Sequence, residues 1–314
     1  MVFLGPKRSN DFGKHRMIVT IKATLVQGSR SVFHNTKIVL LMWVFNAASA
    51  LVLTVPIYNL LLVNLSHSVI SDRLMEKFDY MWFLQFRHLY EIQLDQIPLS
   101  IYALVCIYIL LQTFFLGGLI SVFNSPEKNH IVDFFFGGVR YFSRFVKVLF
   151  ISIIFFALAI RLYDWLGQLI TLGYQDSENV WMDFILKGLR YVLLVFMIGV
   201  ITLLSDYSKV SMAVRDKTKF FKEFYRSVLF IKDHFTKVFT VFLIVAIIGA
   251  VGVLVYNVIG KFIPRTPSYF LVLSFVLQQM LIIFRLLIRM LFCSTEVILY
   301  KDLSAEEVHL ETHL

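Results

Sequence analysis

Hydrophobic positions in this 314-residue chain follow two patterns: long uninterrupted apolar runs, and basic segments whose apolar residues recur at helical spacing. The second pattern is clearest between Asp206 and Gly249. There Phe220, Phe224, Val228, Ile231 and Phe235 fall at i, i+4, i+8, i+11 and i+15, one face of a helix. Lys219, Lys222, Arg226 and Lys237 fall on the other side. Such a helix suits the water–lipid boundary, its aromatics entering the acyl region and its cations meeting anionic headgroups.

The apolar runs lie at about 38–63, 99–123, 148–172, 184–205, 238–260 and 268–292. A helix needs roughly 20 residues to cross the hydrocarbon core, and each run supplies that length. Barrel strands would instead alternate over about 10 residues. The pattern predicts an all-α polytopic membrane protein with six transmembrane helices. They are expected as three hairpins, each preceded by a cytoplasmic interfacial amphipathic helix. A basic segment, 1–37, precedes this domain, and a tail follows from 301. Pro56 is expected to kink the first span. Within 17–26, Val19, Ile21, Ala23 and Leu25 alternate with polar residues as in a strand, while Ile18, Ile21 and Leu25 also fit a helical face. Both readings stay open. In the outer stretch 64–98, Leu74, Phe78, Met81, Trp82 and Leu89 fit one face of a helix resting on the membrane.

The three approaches to the hairpins share a plan. Gly28, Arg30 and Lys37 have the same spacing as Gly138, Arg140 and Lys147, and the third approach, from Ser227, keeps Lys237. His34–x–x–Lys37 matches His234–x–x–Lys237. Each lysine precedes a span, where it can snorkel to the inner interface. Three same-direction copies of one unit are the expectation.

GGLISVF, DFFFGGVRYFSRFVKVLF and DYSKVSMAVRDK, within roughly residues 20–300, resemble a widespread group of bacterial six-span membrane proteins. The likeness extends, more distantly, to the membrane domain attached to some glycerophosphodiester phosphodiesterases. The resemblance implies the fold and a bacterial inner membrane, and supplies no catalytic residues.

Composition agrees with the membrane reading. The chain is 58% hydrophobic with only 16% charged residues, where a soluble domain carries about a quarter charged. The net charge of +9 sits at the flanks of the spans, seven Lys and Arg against one acid in 1–37. By the positive-inside rule both termini are cytoplasmic, and the expected partners are anionic inner-leaflet lipids rather than nucleic acid. A membrane-protein partner or a homo-oligomer is also expected. The first sixteen residues lack the apolar core of a cleavable signal, so the first span is expected to direct insertion. Cys106 and Cys293 read as packed thiols.

Ionisable groups within spans are costly and mark candidate sites. Arg285 and Arg289, i and i+4 on the last span, lie at a depth similar to Asp206 and Lys209, which makes these four a candidate anion, headgroup or ion-pair site. On the outer side, Arg161 and Asp164 are candidates to pair with Lys187 and Arg190. His309 and His313 have metal-compatible spacing in the tail but lack further ligands. Gly117–Gly118 and Gly137–Gly138 are not followed by the Lys-Ser/Thr of a phosphate loop and read as close helix approaches. His67, His88, Asp72, Glu76 and Asp79 lie among basic residues without a catalytic pattern. No cofactor or metal site is expected. The reading is a non-enzymatic scaffold, assembly or accessory subunit engaging anionic lipid, with a small transporter or channel for an anionic or amphiphilic solute as the alternative.

Overall fold

A computed structural model describes residues 8–65, 79–89, 91–125, 130–173, 180–216, 220–264 and 269–311. The described residues are helical, with no strand among them. The helices are α1 Arg8–His34, α2 Thr36–Leu65, α3 Tyr80–Leu89, α4 Glu91–Asn124, α5 His130–Gly173, α6 Val180–Val214, α7 Phe220–Asp233, α8 Phe235–Phe262 and α9 Tyr269–Glu311. Residues 17–26 therefore take the helical alternative, inside α1. Among the described residues, Ala103–Asn124, Ile131–Thr171, Phe184–Val214, Phe235–Phe262 and Tyr269–Ala305 are long and apolar enough to cross a membrane. A sixth candidate is the α1–α2 pair interrupted at Asn35.

These helices keep large apolar side chains outside the protein core. Along α6, Phe184, Leu189, Val192, Val195 and Phe196 are all exposed. Contiguous exposed apolar surface on this scale marks a membrane contact. Hydroxyls within the runs are satisfied locally, as hydrocarbon demands. Ser49, Thr54, Thr113, Ser152, Thr171 and Thr202 each donate to the carbonyl four residues back. The fold is thus an all-helical, multi-pass membrane architecture.

Two of the three lead-in segments are broken from their spans and one is not. The chain breaks at Asn35 and at His234, two and three residues before Lys37 and Lys237. By contrast, α5 runs unbroken through Arg144 and Lys147, so its lead-in and span form one rod. Helix α2 continues through Pro56. Asp79 caps α3, its Oδ1 accepting from the backbone N–H groups of Met81 (2.9 Å) and Trp82 (3.1 Å).

The chain divides into two compact units. The first comprises Met1–His34, Leu116–Ala246 and Met290–Leu314, and the second Asn35–Phe115 and Ile247–Arg289. In the first unit, the glycine pairs permit close contact between α4 and α5. A Cβ on Gly118 would lie 2.5 Å from the Phe134 carbonyl oxygen, and one on Gly137 would overlap Ser121. In the same unit α1 meets α9: a Cβ on Gly28 would lie 2.7 Å from Thr295 Cγ2, and Ser294 Oγ donates to the Gly28 carbonyl at 3.4 Å. Helix α7 lies against α6, with Phe230 between Tyr207 (5.8 Å) and Tyr300 (4.7 Å). Each lead-in segment, α1, the start of α5 and α7, thus contacts the end of a span helix: α9, α4 and α6. The residues following the three approach lysines, Ile38, Val148 and Val238, are all fully buried.

In the second unit, Phe45 meets Phe115 edge-on at 5.2 Å, and Gly252 makes room for the Phe284 ring.

Candidate functional site

Helix α7 carries the segment that the sequence marks as amphipathic. Its inward side is partly polar: Glu223 and Ser227 are fully buried alongside Phe230 and Ile231. Burying a carboxylate requires partners, and the Glu223 carboxylate has two, with a third hydrogen bond at its main-chain carbonyl. Arg226 Nη1 donates to its Oε1 at 2.9 Å, Ser211 Oγ donates to Oε2 at 3.4 Å, and Ser227 Oγ donates to its main-chain carbonyl at 2.9 Å. Ser211 Oγ also lies 3.0 Å from Tyr300 OH, tying α7 through α6 to α9.

The outward arc of α7 mixes large apolar side chains with cations. Phe221 is 80% and Tyr225 64% exposed, Val228 and Leu229 are also exposed, and Lys222 and Lys232 stand among them. The predicted stripe is divided between these arcs: Ile231 is buried, Phe224 is half-buried, and Val228 and Phe235 are exposed. Phe220 is helical without a described side chain, and Lys219 lies outside the described residues.

Just after α6, Asp216 adopts φ 48°. This left-handed conformation is one that Asp tolerates better than most residues. Its carboxylate is gripped by two cations of α5: Arg144 Nη1 donates at 3.0 Å and Arg140 Nη2 to the other oxygen. The hydrogen bond from Arg144, together with that from Arg140, holds the Asp216 carboxyl below the ordinary carboxylate range.

The four residues of the predicted inner site fall in different units. In the first, Lys209 Nζ donates to Asp206 Oδ1 at 3.0 Å, one turn apart on α6. In the second, Arg285 is exposed, and Arg289 donates through Nη2 to the Gln112 carbonyl (3.1 Å) and through Nη1 to the Gln112 side chain. From Gln112 the hydrogen bonding continues. Gln112 Nε2 donates to Asn46 Oδ1 at 2.9 Å, which also accepts from Tyr108 OH at 3.1 Å. Nearby on the same helices, Trp43 Nε1 donates to Gln279 Oε1 at 3.0 Å. This string links α2, α4 and α9 through neutral polar side chains that sequence reasoning passed over. Its available signal was the isolated Asn and Gln residues inside apolar runs.

Of the predicted outer pairs, Arg161, Asp164 and Lys187 are exposed. Arg190 lies with its guanidinium 3.7 Å above the Tyr163 ring, a cation–π contact. Gly167, one turn beyond Tyr163, leaves the space that the guanidinium fills. His67, Asp72, Glu76, Leu74, Phe78 and His313 lie outside the described residues, and the side chain of His309 is not described. In α3, Met81 and Leu89 are exposed and Trp82 stacks on the buried Phe86 at 5.1 Å. Cys293 is buried and Cys106 exposed. No group of three potential metal ligands occurs among the described residues.

The fold and these clusters define a multi-pass helical membrane protein. No protein-family model, no curated protein and no solved structure matches the chain.

Proposed function

We propose that this protein is a non-enzymatic integral membrane component, a scaffold or accessory subunit that engages anionic lipid at the cytoplasmic face of a bacterial inner membrane. In this reading six crossings form three hairpins with both termini inside, and α7 lies along the inner leaflet. The observation that carries it is the outward arc of α7. Phe221, Tyr225 and Lys222 point away from the protein while the buried side satisfies Glu223. Exposed aromatics beside cations match the headgroup–acyl boundary better than water or the hydrocarbon core. The contacts of α1, α5 and α7 with the ends of α9, α4 and α6 support three related units. The resemblance to bacterial six-span proteins points the same way.

The test is a Tyr225→Trp chain in which Trp43, Trp82, Trp165 and Trp181 are replaced by Phe, reconstituted in vesicles containing bromine-labelled lipids. The reading expects strong quenching of the new tryptophan and weak quenching by aqueous iodide. The reverse pattern overturns it.

A second reading, a small transporter or channel for an anionic or amphiphilic solute, is favoured by the string from Arg289 through Gln112 and Asn46 to Tyr108. Polar groups at membrane depth are functional candidates by default. Arg289→Gln would then abolish anion flux in vesicles while leaving the chain folded. Unchanged flux removes this reading.

A further inference from the structure

An open groove of about 440 Å³ lies in the corner where the chain breaks at His234 between α7 and α8. Val200 and Leu204 of α6 line one side, and Val228, Ile231 and Lys232 of α7 with Phe235 of α8 line the rest. The volume lies within the roughly 300–1,000 Å³ of sites that hold small molecules. We propose that this groove binds one anionic phospholipid, with an acyl chain along α6 and the headgroup phosphate at Lys232. The proposal rests on α7 lying at the inner membrane boundary, and names the ligand held there.

The lining selects the occupant. Five of the six residues offer no hydrogen bond from their side chains, so a polar solute would lose its hydration without replacement. The sixth, Lys232, is exposed at the rim and places one ammonium beside an apolar trough. An acyl chain joined to a phosphate is complementary to that arrangement.

The trough also continues. Phe196 and Val192 lie about one and two turns before Val200 on α6, drifting about 40° round the helix at each step, and both are exposed. A chain that starts beside Leu204 and Lys232 therefore has an apolar track about 18 Å long, four residues to each turn at 1.5 Å per residue. Lys232 and Asp233 are about 100° apart round α7, and of the two only Lys232 lines the groove. The nearest end of the groove thus favours an anion. A neighbouring helix or a second copy of the chain could fill the apolar part, but neither would require the lysine.

The experiment is native mass spectrometry of the full chain released from vesicles of equal phosphatidylglycerol and phosphatidylcholine. The wild type is expected to retain one phosphatidylglycerol. Lys232→Gln should lower the preference for the anionic lipid about five-fold, the effect of one cation near the membrane surface. Leu204→Trp should fill the groove and lose both lipids, while Phe150→Trp, exposed on α5, should behave as wild type. If Leu204→Trp does not fold, Val200→Trp carries the same expectation. Equal retention of both lipids, retention undiminished by the filling variants, or a lipid-free wild-type dimer would each overturn the proposal. The Tyr225→Trp quenching separates the two levels. An unquenched tryptophan removes the interfacial reading of α7, whereas a quenched one beside undiminished lipid in the filled variants removes only the groove.

Discussion

Arg144 of α5 donates to Asp216 at 3.0 Å, joining the lead-in segment at the start of α5 to the residue two beyond the end of α6. The contact is partly exposed, with Asp216 at 45% side-chain exposure, so its contribution is that of a surface pair, about 0–1 kcal/mol. The backbone supplies a second constraint through the left-handed φ of 48°. Asp216→Asn should keep the backbone and lose only the charge, lowering stability by no more than about 1 kcal/mol. Asp216→Val should cost more, because a β-branched residue is poorly accommodated there.

The pH dependence follows from the same residue. A carboxyl whose folded pKa is depressed contributes stability above its unfolded value of about 3.9, and that contribution disappears as pH falls through the folded pKa. Wild type should therefore exceed Asp216→Asn at neutral pH, and the difference should begin to shrink as pH falls towards about 4 and disappear only below the depressed folded pKa. Thermal unfolding in detergent across that range measures it.

Helix contact between α4 and α5 depends on missing side chains. Gly137→Ala should force a shift against Ser121 and the Gly117 carbonyl and cost about 1–3 kcal/mol. Ser121→Gly in the same chain should recover part of that loss. Gly188→Ala, where a Cβ meets nothing within 4 Å, should be neutral or stabilising by up to about 1 kcal/mol. Chemical unfolding of the four chains compares them directly.

The buried acid of α7 is held by specific donors. Glu223→Leu should leave Arg226 and Ser211 without their carboxylate and destabilise by about 1–3 kcal/mol, with Glu223→Gln intermediate. Hydrogen exchange should locate the loosening in α7. An effect confined to α9 would contradict this assignment.

Much of the architecture was legible because lipid imposes a simple rule, long apolar runs folded as helices. The predicted fifth span, 238–260, falls within α8, Phe235–Phe262. Gly117–Gly118 and Gly137–Gly138 were legible as close approaches because a glycine pair at the end of an apolar run has little other use. The orientation of α7 was not. Helical spacing identifies an apolar stripe, but both lipid and protein core accept such a stripe, and only tertiary contacts place Phe221 outward and Glu223 inward. Partners of lone polar residues were equally hidden. Nothing near Gln112 in sequence announces Arg289, which is 177 residues away. The continuity of α5 departs from the expected separate lead-in helix: Arg144 and Phe145 carry no helix-breaking signal, and lead-in and span continue as one helix.

The intramembrane string makes its own prediction. Gln112→Leu removes the side-chain acceptor of Arg289 and the donor to Asn46 while leaving the main-chain acceptor in place, so stability should fall by about 1–3 kcal/mol. Gln112→Glu, which keeps an acceptor for the guanidinium, should lose less at neutral pH. Thermal unfolding in one detergent compares the pair.

The most direct measurement is side-specific labelling of a chain lacking Cys106 and Cys293, with a cysteine placed at Lys222 on the outward arc of α7. A membrane-impermeant thiol reagent should leave it untouched in intact cells and modify it in inverted membrane vesicles. Modification in intact cells would put α7 on the wrong side of the membrane and contradict the inner-leaflet account.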